Sequence, residues 1–172
     1  PALQKNLVTF ISPGKTFNLA SLHAATVIVY EPHLRANVAR GLSAYQANEP
    51  NLLAIPTTIA AYTQGAAWLQ ALRHQLQTNY QAVLAADLPG VAVVPAEATY
   101  LLWLDISSFT HDAAAFCQFL SAATGLRLNA GNAYRGNGHD FVRMNIACPP
   151  ALLQDGLRRL RTGIRLFKAG QA

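Results

Sequence analysis

The chain reads as an α/β protein, and three observations carry that expectation. Short apolar runs with many β-branched residues, Leu7 to Ile11 and Ala24 to Tyr30, suit strands covered on both faces, as in a parallel or mixed sheet. Segments with apolar residues three and four apart follow them, and proline and glycine breaks separate the two kinds. Charged residues make up only 12% of the 172 positions and apolar ones 52%, which argues against disorder and for a chain that can bury a core.

Each element has its own signal. Glu31-Pro32 closes the second apolar run, and Leu34 to Tyr45 then reads as a helix. Asn48-Glu49-Pro50-Asn51 is a break. After Pro56-Thr57-Thr58 a long helical pattern carries Ile59, Leu69, Leu72, Leu76, Tyr80 and Val83 on one face, with Gly65 as a weak point. Asp87-Leu88-Pro89-Gly90 stops it. Val91 to Val94 and Tyr100 to Ile106 read as strands, and Asp112 to Thr124 as a helix. A glycine-rich stretch, Gly131 to Gly138, leads into a strand from Phe141 to Ile146. In the closing helix Leu153, Leu157, Leu160, Ile164 and Phe167 mark one face. Arg158, Arg159, Arg161, Arg165 and Lys168 mark a solvated one, near a C-terminus where cations oppose the dipole. This βαβ-like tail forms its own layer of sheet and helices, and the long helix joins two bodies.

Composition narrows the function. The net charge of +5 is modest, and the basic residues lack aromatic or glycine interleaving, so no nucleic-acid partner is expected. No run of about 18 apolar residues and no charged-then-apolar leader is visible, so no membrane partner is expected. Cys117 and Cys148 form no CxxC pair, and the five histidines have no metal-ligand spacing with them. No metal is expected, and both thiols read as small buried hydrophobes in a reducing, cytoplasmic compartment. The opening at Pro1, in structured-looking sequence without an initiator Met, reads as a cut beginning. The low charge content leaves surface for a partner.

The stretch Phe10 to Asn18, FISPGKTFN, holds the letters GKT after an apolar run. A phosphate loop needs a further glycine five positions before Gly14, and Thr9 stands there, so nucleoside triphosphates are not expected. A lysine at a strand end can instead act as a nucleophile toward an aldehyde cofactor, or simply sit exposed in a turn. Ser12 offers a hydroxyl to a phosphate. Arg143 lies inside an otherwise apolar strand, where it needs an anion, and its planar fork matches a carboxylate. An internal acid would serve, but there are only eight Asp and Glu in the chain. A lysine nucleophile with a carboxylate-binding arginine points to an amino-acid substrate.

The block SPGKTFNLASLHAA around Lys15 resembles the lysine segment of fold-type-I pyridoxal-phosphate enzymes. Within that class I/II aminotransferase family it is most similar to the carbon-sulfur lyases of the cystathionine β-lyase type. The segments NEPNLLAIPTTIAAYTQGAAWLQALR, ATYLLWLD and GNAYRGNGHDFVRMNIACP continue the resemblance in order, over nearly the whole chain. It implies the C-terminal part of such an enzyme: residues 1–47 as the end of the large cofactor-binding domain and its sheet, 48–88 as the connection and long interdomain helix, and 89–172 as the small α/β domain. Lys15 would bond pyridoxal 5'-phosphate covalently and shuttle the Cα proton. Ser12 would contact the phosphate, and Arg143 would hold the α-carboxylate of a small amino-acid substrate. Neither residue separates a β-lyase from an aminotransferase.

The resemblance also implies departures and gaps. His23 stands where many relatives carry a basic phosphate-binding residue. Ala130 replaces a frequent proline, and Arg135 and Asp140 replace frequent glycines. The aspartate and aromatic ring that would meet the cofactor's pyridine belong to an N-terminal half outside this sequence. The expected assembly is a homodimer, or self-association through an uncovered sheet. The alternative is a non-catalytic, self-associating fragment without a complete cofactor site.

Overall fold

The computed structural model describes residues 2–170, which divide into two units, one up to Leu72 and one from Arg73 onward. The first begins with a 3-10 turn (Ala2–Asn6), then β1 (Val8–Ile11), a short 3-10 turn (Ala20–Leu22), β2 (Thr26–Val29), α1 (Pro32–Ala44) and α2 (Ala54–Gln64). Helix α3 (Ala66–Leu84) carries the chain from the first unit into the second. The expectation of a parallel or mixed sheet does not hold for β1 and β2. They pair antiparallel, Val8 opposite Val29 and Ile11 opposite Thr26, as a two-stranded ribbon. Nor are they covered on both faces: Phe10 and Ile11, neighbours that point to opposite faces of the ribbon, are 63% and 42% exposed.

Local chemistry sets the helix boundaries. Glu31 caps α1 by accepting from the backbone N–H groups of His33 and Leu34, with Pro32 pre-set at the first helical position. Those two backbone donors hold the Glu31 carboxyl below its ordinary value. The long helical pattern is two helices broken at Gly65. A Cβ there would lie 2.4 Å from the Ala61 carbonyl oxygen and 2.6 Å from the Phe17 ring, so only glycine admits that ring between Tyr62 and Trp68.

The second unit contains β3 (Ala92–Val93), β4 (Leu101–Asp105), α4 (Ala113–Thr124), β5 (Asn129–Ala130), β6 (Phe141–Asn145) and α5 (Pro150–Ala169). The sheet order is β3-β4-β6-β5, with every neighbouring pair antiparallel. Strands β4 and β5 therefore run in the same direction, and β4–α4–β5 is the βαβ crossover, with β6 inserted between its strands. The strand β5 has no counterpart in the sequence-based expectation, because two residues carry no periodicity.

Alternation along β4 and β6 splits the sheet into two faces. Leu102, Leu104, Val142 and Met144 are buried with Phe116 and Leu120 of α4 and Leu153, Leu157, Leu160 and Ile164 of α5. Each such side chain contributes about 1.5–3 kcal/mol on burial. Trp103, Asp105, Phe141 and Arg143 line the opposite, half-buried face. Asp112 caps α4 by accepting from the Ala115 N–H at 3.0 Å. Burial pushes the Cys117 thiol on α4 up to about 11, and that of Cys148 up as well.

Asn79 of α3 is buried and polar. Its amide donates to the carbonyl oxygens of Ile146 at 2.8 Å and Cys148 at 2.9 Å, fastening the exit of β6, and its own oxygen accepts from Gln75. Asn79→Ala is expected to lower the unfolding free energy by about 2–4 kcal/mol, since two carbonyls lose their donors. Urea unfolding measures this, with the exposed Gln77→Ala as reference; equal midpoints for the two variants would remove Asn79 from the account of stability.

Candidate functional site

In the first unit, the three sequence-predicted residues Ser12, Lys15 and His23 share the connection between β1 and β2. The Ser12 hydroxyl donates to the Ala24 carbonyl oxygen at 2.7 Å, tying the two ends of the connection together. The Ser12 hydroxyl oxygen in turn accepts from the Gly14 N–H at 3.1 Å. A tight turn follows, in which Phe17 N–H donates to the Pro13 carbonyl and Leu19 N–H to that of Gly14. Pro13 and Gly14 are buried beneath it and Lys15 is exposed upon it. Among the described residues no acid pairs with Lys15. His23 is exposed in the left-handed region, at φ 50°.

These residues suit pyridoxal phosphate at one point and constrain it at another. A primary amine on an anchored turn, free of any carboxylate, is what an aldehyde requires. The single proton of Ser12 already goes to Ala24, so this serine reaches a phosphate oxygen only by releasing that carbonyl. The imidazole of His23 is free to donate.

Arg143 belongs to the second unit. It lies mid-strand in β6, opposite Trp103 of β4 and Asn129 of β5. It is half-buried on the face away from the core, so the strand does not bury it as a wholly apolar environment would. No acid among the described residues pairs with it. Its guanidinium carbon sits 5.1 Å from the centre of the Tyr134 ring. The fork is therefore charged, partly desolvated and open to a planar anion.

Two departures from the family pattern have different standing in the structure. Arg135 is exposed. Asp140 is paired: its carboxylate lies 2.6 Å from Nδ1 of His111 and 3.5 Å from Nε2 of His139, and its backbone carbonyl accepts from Ile106. No group of three His, Cys, Asp or Glu side chains among the described residues is arranged to hold a metal ion. A cavity of ≈ 520 Å³ beside β5 and the first turn of α5, lined by Leu126, Met144, Cys148, Leu153 and Arg159 among others, excludes Arg143. Sequence reasoning passed over Trp103 and Tyr134. Alternation alone puts Trp103 on the Arg143 face, whereas Tyr134, in a loop, has no periodic signal.

No family model matches the chain. It is 34% identical over 160 residues to the cystathionine beta-lyase PatB of Bacillus subtilis, covering 91% of this chain and 41% of that one. It is 32% identical over 161 residues to the protein MalY of Escherichia coli, with the same coverage. A PLP-bound candidate aminotransferase from Clostridium difficile 630 superposes with a TM-score of 0.90 at 27% identity, over 95% of this chain and 43% of that one. The mixed α/β fold is thus that of fold-type-I aminotransferase structures over part of their length. Its relatives and structural neighbours are pyridoxal-phosphate-dependent aminotransferases and cystathionine β-lyases, each matched over part of its length. The chain spans about two fifths of the length of the curated relatives it matches. No helix among the described residues is long and apolar enough to cross a membrane.

Proposed function

We propose that this chain is part of an amino-acid-processing enzyme in which Lys15 carries pyridoxal phosphate and Arg143 holds the substrate's α-carboxylate. The observation that carries the proposal is that among the described residues both cations lack an acidic partner, one on an anchored turn and the other half-buried against the Tyr134 ring. When bound, pyridoxal phosphate draws electron density away from the amino acid's Cα. The Lys15 amine, once free and neutral, would take the Cα proton and deliver it to the departing thiolate in elimination or to the cofactor's C4' carbon in amino transfer. Arg143 fixes the carboxylate, and with it the direction of the Cα–H bond. His23 contacts the phosphate, with Ser12 shaping the turn and joining that contact when it releases Ala24.

The reaction is β-elimination of a thiol from a cystathionine-like amino acid, with amino transfer as the second outcome of the same proton removal. The PatB likeness supports elimination, and the candidate-aminotransferase likeness supports transfer. The enzyme works in the cytoplasm as a homodimer. The exposed Phe10, Tyr30, Leu52 and Ile55 favour association through the first unit. They also favour the second reading, a non-catalytic chain that only self-associates.

One experiment separates the two. The protein is incubated with pyridoxal phosphate, reduced with borohydride, and its labelled peptides are mapped. Label confined to Lys15 is expected. Label spread over Lys5, Lys15 and Lys168 would mean that this chain forms no cofactor site of its own and would leave the self-associating reading. Pyruvate release from cystathionine, set against amino-acid and keto-acid exchange, then assigns lyase or aminotransferase.

A further inference from the structure

The position of Arg143 is set by its strand, but the direction of its guanidinium is set elsewhere. Tyr134, against which the guanidinium lies, meets Trp103 edge-to-face at 5.1 Å, and Trp103 meets Phe141 at 6.4 Å. Tyr134 stands in the loop between β5 and β6, closed at its base by two glycines. A Cβ on Gly138 would lie 2.1 Å from the Gly131 carbonyl oxygen, and one on Gly131 would lie 2.2 Å from that of Gly138. Tyr134 N–H donates to Gly131 at 2.8 Å, and the paired Asp140 ends the loop. The glycine closure holds the base of the loop, and the edge-to-face contact with Trp103 supports the ring, which at 39% exposure presents its face to Arg143.

We infer that Tyr134 is a positioning residue that orients the Arg143 fork for an incoming carboxylate. The inference rests on Arg143 as the carboxylate holder. An arginine side chain has many rotamers, and fixing them before binding removes that cost from the binding step. An acidic neighbour would also fix them, but it would neutralise the charge the substrate needs. The face of an aromatic ring attracts the cation through its quadrupole and leaves the N–H groups at the guanidinium edge free. The phenol hydroxyl takes no part, so phenylalanine serves equally well.

The test compares Tyr134→Leu, Tyr134→Phe and Arg143→Gln in the protein loaded with pyridoxal phosphate. Binding of L-alanine and of ethylamine, which differ only in the carboxylate, is followed by the cofactor's absorbance. Tyr134→Leu is expected to weaken L-alanine about fivefold and leave ethylamine unchanged. It raises KM for the amino-acid substrate by a similar factor at nearly constant kcat. Tyr134→Phe behaves as the parent. Without cofactor, the Nε–H nuclear magnetic resonance of Arg143, assigned by its loss in Arg143→Gln, shifts or broadens in Tyr134→Leu. Equal weakening of both ligands, parental L-alanine binding by Tyr134→Leu, or failure of Tyr134→Phe to rescue would overturn the positioning role alone, provided that Arg143→Gln discriminates the two ligands. If Arg143→Gln weakens L-alanine no more than ethylamine, the carboxylate role of Arg143 falls, and the positioning role falls with it.

Discussion

Lys15→Ala is expected to lower kcat by at least about 10³-fold for elimination or amino transfer, because in the proposed mechanism it removes the covalent attachment and the proton-transferring base together. Each tenfold loss is about 1.4 kcal/mol of barrier, so the drop corresponds to about 4 kcal/mol or more. The side chain is exposed on its turn and packs against no core residue, so the fold should survive. Rates of pyruvate release and of amino-acid exchange, with circular dichroism as a folding control, measure the effect. A variant that kept the parent rate would remove Lys15 from the chemistry.

Phe116→Ala is expected to have the largest effect on stability. Phe116 is fully buried and meets Phe109 edge-on at 5.4 Å and Phe167 at 5.2 Å, with Phe119 against Phe167 at 5.3 Å. Removing the ring takes away its transfer free energy and leaves a cavity between α4 and α5, about 3–5 kcal/mol in all. Domains hold about 5–15 kcal/mol in total, so this variant loses a large share of its margin. The tryptophans divide between the units, Trp68 in the first and Trp103 in the second. Denaturant unfolding followed by fluorescence in a Trp68→Phe background therefore reports the second unit alone. A loss below about 1 kcal/mol would place that unit's stability outside this aromatic cluster.

What the sequence made legible follows from range. The buried face of α5, the helix after Asp112 and the weak point at Gly65 are written within one or two helical turns, and each is found in the structure. The direction of β1 against β2 is not, because apolar runs state that a strand is buried without stating its partner. Asn79 looked like any polar helix residue, since the carbonyls it satisfies lie 67 and 69 positions away. The site divides in the same way. Lys15 and Arg143 stood out because a cation beside or within an apolar run is anomalous at once. The engagement of Ser12 with Ala24 and the contact of Tyr134 with Arg143 depend on how loops close, which local sequence does not encode.

The closure of Gly131 on Gly138 has an evolutionary side. Residues 132–137 form a loop segment whose flanking glycines are fixed to each other, so its positions other than Tyr134 and Gly136, the latter at φ 76°, can be exchanged while β5 and β6 keep their register. Substitutions at those positions change the surroundings of Tyr134 without taxing the sheet. On the proposed carboxylate role of Arg143, a library confined to positions 132, 133, 135 and 137 is a route to altered substrate range in this scaffold.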